Sequence, residues 1–144
     1  MKKLHLIVGV VTLIIFLITG QYLSRAYPHM VGVDDGLRML LRSRHLYIML
    51  AGAVNTALGL YLTRQSRGWR LLAQRLGSAL LLVAPLLLIV AFLTEAPRGN
   101  MNGPLARFGL FAVFGGIVFH LISGARAGRE TTQPVARASA VGAE

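Results

Sequence analysis

Four long runs of apolar residues, separated by polar and charged segments, dominate the chain. They cover residues 4–23, 45–63, 76–93 and 108–124. Each run is close to the roughly 20 residues that a helix needs to cross a hydrocarbon core about 30 Å thick. A helix also pairs its backbone polar groups within its own segment, as a bilayer requires. The pattern therefore predicts an all-α integral membrane protein, a four-helix bundle formed by residues 1–125.

The segment between the first two runs has a helical pattern of its own. Pro28 ends the first helix, and Asp34 stands where the N-cap of a new helix is expected. Beyond it, leucines and arginines fall on different helix faces, which predicts a short amphipathic helix on the outward membrane surface. This surface is predicted to bind lipid headgroups, or a dedicated anionic ligand, through Arg38, Arg42, Arg44, His45 and Tyr47.

Composition and charge place the chain in a membrane. It is 55% hydrophobic with a mean hydropathy of +0.63, too apolar for a soluble domain of 144 residues. The net charge of +10 would indicate nucleic acid in a soluble protein, but here the cations lie at the ends of apolar runs. No nucleic-acid partner is therefore predicted, and membrane lipids are the expected partners.

The basic residues also predict the orientation. If the chain crosses the membrane four times, the segments before the first run, between the second and third runs, and after the fourth run lie on the same side of the membrane. Most basic residues are in these segments, and the positive-inside rule makes that side cytoplasmic. These residues are Lys2, Lys3, Arg64, Arg67, Arg70, Arg75, Arg126, Arg129 and Arg137. Arginines in the outward link oppose this assignment. A lysine-led start without a transit signal favours the bacterial inner membrane, and cleavage of the first run after Gly20 is an alternative.

Residues 126–144 lack apolar periodicity and predict a disordered cytoplasmic tail. Small and polar residues recur at helical spacing in three of the runs, so these stripes are expected to face one another inside the bundle. They are His5, Gly9, Thr12, Phe16 and Thr19 in the first run, His45, Gly52, Asn55 and Gly59 in the second, and Gly109, Gly116, His120 and Ser123 in the fourth.

Histidines are the candidate ligating groups, since the chain contains no cysteine. An up-down-up-down bundle places His5 and His120 near the cytoplasmic face, where two neutral imidazoles can hold a b-type haem. His5-x-x-x-Gly9 at a helix start, with His120 on a glycine-rich partner, resembles small four-helix membrane b-type cytochromes. That resemblance covers a few residues and implies axial ligation by His5 and His120. The opposite face offers only His29 and His45, so at most one haem is implied.

Enzymatic chemistry has little basis in the sequence. None of the four runs contains a carboxylate, no nucleophile–base pair is evident, and no metal site is predicted. The sequence favours a non-enzymatic accessory or structural subunit of a membrane assembly, or a homo-oligomer. A single-haem b-type cytochrome is one alternative. A small transporter built around Pro85 and Asn55 is another.

Overall fold

The computed structural model describes residues 1–27, 31–62 and 68–124, which form four α-helices. These are α1 (Lys2–Ala26), α2 (Asp35–Tyr61), α3 (Trp69–Thr94) and α4 (Pro104–Gly124). The all-helical prediction is confirmed. Each helix begins before its apolar run and includes polar residues ahead of that run. The predicted tail, residues 126–144, and His29 lie outside the described residues.

Three of these helices, α1, α3 and α4, are long and apolar enough to span a membrane. The chain is therefore a membrane protein. Helix α2 is not among the three, although it is 27 residues long. Its sequence is more polar than its neighbours', because it carries three arginines and His45 in its first half and Asn55 further along.

The amphipathic segment between the first two runs is not a separate helix. Asp34 caps it as predicted, accepting hydrogen bonds from the backbone N–H of Gly36 (2.9 Å) and Leu37 (3.3 Å). The helix then continues without a break into the second apolar run. No proline or glycine lies between Leu37 and Ala51, so nothing in the local sequence ends the helix at the membrane surface.

The four helices alternate in direction. The closest packing is between α1 and α2 and between α3 and α4, with α2 and α3 joining the two pairs. Glycines permit these approaches. A Cβ at Gly9 would clash with the backbone of Thr56, and one at Gly77 would lie 2.9 Å from the carbonyl oxygen of Gly116. Small residues let helix backbones meet in membranes in this way.

The predicted small and polar stripes face the interior. All but one of the stripe residues of α1 are buried, including His5 and Thr12. In α2 the stripe residues Gly52 and Asn55 are buried, and in α4 Gly109, Gly116 and Ser123 are buried. The other stripe residues of these two helices, His45, Gly59 and His120, are half-buried. The periodicity thus correctly predicted which faces meet in the bundle.

Replacing Gly59 with alanine is expected to separate α1 from α2 locally and to lower stability by about 1–3 kcal/mol. The new Cβ would lie 2.6 Å from the backbone N and Cα of Leu6, and neither helix backbone can move without losing other contacts. Unfolding in detergent, followed by circular dichroism, measures the change. Gly115→Ala is the control, since its Cβ would lie 3.6 Å from Leu80; an equal loss in both variants would contradict the packing explanation.

Candidate functional site

One polar side chain from each helix meets in the bundle interior, near the end where α1 begins and α4 ends. These residues are His5, Asn55, Ser78 and His120, and we call them the polar layer. His5, Asn55 and Ser78 are each 0% exposed. Each of the four contacts at least one of the others. Buried polar groups are costly unless they are paired, so the pairing within this layer decides its chemistry.

Asn55 fixes the protonation of His5. The Asn55 side-chain amide donates to the carbonyl oxygens of Ala51 (2.9 Å) and Leu81 (2.8 Å), so both of its N–H groups are used. Its carbonyl oxygen lies 2.7 Å from Nδ1 of His5. Because that oxygen can only accept, Nδ1 must carry the proton. The lone pair of the neutral ring is therefore on Nε2.

Nε2 of His5 is buried and has no hydrogen-bond partner. The next ring is that of His120, with its centre 6.2 Å away and its plane inclined at 80°. Nε2 of His120 lies 3.2 Å from the hydroxyl oxygen of Ser78. Two imidazoles from the first and last helices are thus brought face to edge in the core, one of them with an unused lone pair.

Two cavities are lined by His120 and by no residue of α1. One has a volume of about 390 Å³ and lies between α2 and α4, with apolar walls that include Val54, Leu58 and Ile117. The other, about 180 Å³, lies nearer the end of the bundle and shares Leu58 and His120 with the first. His120 is therefore accessible from an apolar groove.

The arrangement is suited to a metal that needs only two protein ligands. Two imidazoles bound on opposite sides of one metal ion, with bonds of roughly 2 Å, would have ring centres roughly 6 Å apart. Within the described residues, no group of three or more ligating side chains is present that could hold a metal ion by itself. Haem iron is different, because the porphyrin supplies the remaining nitrogens.

His45 has a different environment, in the half of the bundle away from the polar layer. Its ring stacks on Phe16 at 4.2 Å and 18°, and its Nδ1 lies 3.1 Å from the hydroxyl oxygen of Thr19. The next aromatic ring is that of Phe92, at 6.1 Å. Aromatic packing and one hydrogen bond account for this histidine.

Of the predicted outward lipid- or ligand-binding set, Arg44 and Tyr47 line one cavity of about 250 Å³, and the other members do not line it. Arg44 is buried and faces inward, and its guanidinium lies 3.4 Å from the Glu95 carboxylate and donates to the carbonyl oxygen of Asn100 at 3.1 Å. Arg38 pairs with Asp35 at 3.3 Å. Arg42 is exposed, whereas His45 and Tyr47 are half-buried.

Glu95 was not among the predicted site residues, yet it joins three elements. Its carboxylate accepts hydrogen bonds from the N–H groups of Leu105 (2.8 Å) and Ala106 (3.2 Å), the first turn of α4. It also pairs with Arg44 of α2. An anion at a helix N-terminus is stabilised by the unpaired N–H groups there. The pair holds the end of the bundle opposite the polar layer.

Asn55→Leu is expected to lower stability by about 1–3 kcal/mol, because Nδ1 of His5 and the carbonyl oxygen of Leu81 would both lose a buried partner. Unfolding in detergent measures this. Thr12→Val is the matched control, since the Thr12 hydroxyl bonds only to Val8 of its own helix at 2.6 Å. Equal stability of the two variants would show that the Asn55 bonds do not stabilise the layer.

Comparisons of the chain with protein-family models, curated protein sequences and solved structures found no match. The function is therefore inferred from the polar layer and its surroundings.

Proposed function

We propose that this protein is a small b-type cytochrome of the membrane, with one haem held axially by His5 and His120. The observation that carries the proposal is the meeting of these two rings, 6.2 Å apart, in the bundle core. The unpartnered Nε2 of His5 supports it further. A buried lone pair without a hydrogen bond is unfavourable in a folded protein, and a bond to a metal is one way to satisfy it.

The residues of the polar layer have distinct roles in this proposal. Asn55 holds the His5 ring so that Nε2 is the ligating atom, the usual role of a partner behind a metal-bound histidine. His120 would hold the haem through Nε2, the atom that lies 3.2 Å from the Ser78 hydroxyl oxygen. The bound haem supplies reversible one-electron chemistry. If His5 and His120 both held the haem, its chemistry would be electron transfer and not binding of a substrate, so no enzymatic reaction is assigned.

We further propose a four-span topology in which α2 is the second span. Helix α2 packs between α1 and α3, and Asn55 within its apolar run and Arg44 immediately before that run are buried in the protein. A helix whose polar groups face protein can cross a bilayer despite a polar composition. With the N-terminus and the end of α4 on the cytoplasmic side, the polar layer lies near the cytoplasmic face of a bacterial inner membrane.

An electron carrier of this size works with a partner. The accessory-subunit interpretation of the sequence fits this proposal, because a haem near one face can pass electrons to a larger membrane protein or to a second copy. The transporter alternative has less support, since both N–H groups and the carbonyl oxygen of Asn55 are already engaged. Helix α3 also continues through Pro85.

The visible spectrum of the protein, purified from cells supplied with a haem precursor, tests the proposal. The expected result is an intense Soret band and, after reduction with dithionite, the sharp bands of a six-coordinate b-type haem. A protein that stays colourless under these conditions, and after addition of haem to the purified protein, would overturn it.

A further inference from the structure

A groove runs between α2 and α4, because these two helices pack against each other much less closely than each packs within its own hairpin. The cavity of about 250 Å³ that Arg44 and Tyr47 line lies in this groove, and Arg107 and Leu110 of α4 also line it. We call it the outward cavity, because it adjoins the starts of α2 and α4, which lie on the outward side in the topology proposed above.

The apolar cavity of about 390 Å³ between α2 and α4 continues the same groove. Val54 lies seven residues after Tyr47, and Ile117 lies seven residues after Leu110. Residues seven apart lie on one face of a helix and are separated by about 10.5 Å along its axis. The groove therefore has a polar end with arginine and tyrosine, and a mainly apolar part about two helix turns deeper in the bundle.

Two hydrogen-bond donors in the outward cavity have no partner in the described part of the chain. The Tyr47 hydroxyl and the Arg107 guanidinium make no hydrogen bond or ion pair with a described residue, whereas Arg44 pairs with Glu95. Tyr47 is half-buried and lies within the second apolar run. A tyrosine hydroxyl removed from water usually has a hydrogen-bond partner. The outward cavity thus offers two donors to a ligand with oxygen acceptors.

The charge of the outward cavity matches a single anion. Its lining includes two arginines and no carboxylate. Glu95 neutralises Arg44, so Arg107 leaves one net positive charge. The acidic residues at the start of α2 are engaged elsewhere, since Asp34 caps the helix and Asp35 pairs with an arginine of the same helix. A phosphodiester carries one negative charge, and its oxygens accept hydrogen bonds from arginine and tyrosine.

We propose that this groove is a binding site for one anionic phospholipid. The phosphodiester binds Arg107 and Tyr47, and one acyl chain lies along the groove towards Val54 and Ile117. A phospholipid joins a charged headgroup to an apolar chain, which is the order of the two cavities. The inference rests on the proposed four-span topology, because α2 must lie in the bilayer beside the chain, but it does not depend on haem.

The test is unfolding of the purified protein in neutral detergent, followed by circular dichroism as phospholipid is added. Phosphatidylglycerol should raise the unfolding midpoint in a saturable way, since a ligand that binds the folded state stabilises it. Its apparent Kd should be roughly tenfold or more below that of phosphatidylcholine, whose choline cancels the phosphate charge. In the double variant Tyr47→Phe, Arg107→Gln the two lipids should act alike, because loss of a charge-assisted hydrogen bond weakens binding about tenfold.

The matched control is Tyr22→Phe, Arg98→Gln, which removes the same groups from exposed positions that do not line the groove; it should keep the preference for phosphatidylglycerol. Glycerophosphoglycerol, the same headgroup without acyl chains, should not raise the midpoint at concentrations where the lipid saturates.

Three results would each overturn the inference: equal action of the two lipids on the unmodified protein, a preference that survives in Tyr47→Phe, Arg107→Gln, or equal stabilisation by the soluble headgroup, which would assign the cavity to a soluble phosphodiester. The haem spectrum is a separate measurement, so the phospholipid site and the cytochrome can fail independently.

Discussion

His5→Ala and His120→Ala are each expected to remove the bis-histidine haem spectrum while the protein still inserts into the membrane. Either change deletes one of the two imidazoles whose ring centres lie 6.2 Å apart, and iron held by a single histidine gives a different spectrum and binds more weakly. We expect at least a tenfold loss of bound haem, on the order of 1.4 kcal/mol or more. Haem per protein, measured as the pyridine haemochrome, gives the result.

His45→Ala is the matched control, because it removes the same side chain from a half-buried position that stacks on Phe16. Its haem content should be unchanged. Addition of imidazole to the His120→Ala protein should restore the six-coordinate spectrum, which separates loss of a ligand from loss of the fold. Pigment that survives unchanged in both His5→Ala and His120→Ala would rule out this pair as the axial ligands.

Arg44→Met is expected to cost about 3–5 kcal/mol of stability, the usual effect of removing one partner of a buried ion pair. The Arg44 and Glu95 side chains are 4% and 7% exposed, so water cannot replace the lost charge. We expect the lower part of that range, since Glu95 keeps its hydrogen bonds from the N–H groups of Leu105 and Ala106. Unfolding in mixed micelles, followed by circular dichroism, measures the loss.

Arg38→Met is the control for that change. Its partner, Asp35, is 93% exposed, and exposed ion pairs contribute less than about 1 kcal/mol. The double variant Arg44→Met, Glu95→Gln should recover part of the loss, because no buried charge is left without a partner. If Arg44→Met and Arg38→Met are equally stable, the buried pair does not hold this end of the bundle.

The helices and their inward faces could be predicted because both follow from local periodicity. The spacing of His5, Gly9 and Thr12 indicated one face of α1, and that face is buried. The alternation of four helices also predicted that His5 and His120 lie near the same end. Their rings are in fact neighbours, whereas their role as haem ligands stays a prediction.

The partners of these histidines could not be read from spacing along one helix. Asn55 bonds His5 from α2, and Ser78 contacts His120 from α3. Both contacts depend on how each helix is rotated about its axis, which tertiary packing decides. The sequence pattern places Arg44 at the membrane surface, because it does not show how α2 is rotated about its axis. Its partner Glu95 lies at the far end of α3, and no pattern in the sequence connects the two.

The tight helix pairs have a consequence for biogenesis. Helices α1 and α2 meet at Gly9 and Gly59, and α3 and α4 meet at Gly77 and Gly116, so each pair packs as a hairpin of neighbouring helices. His5 and His120, however, belong to different hairpins, on α1 and α4. A cofactor held by both can be captured only after translation of α4, so the arrival of haem would report that the two hairpins have come together.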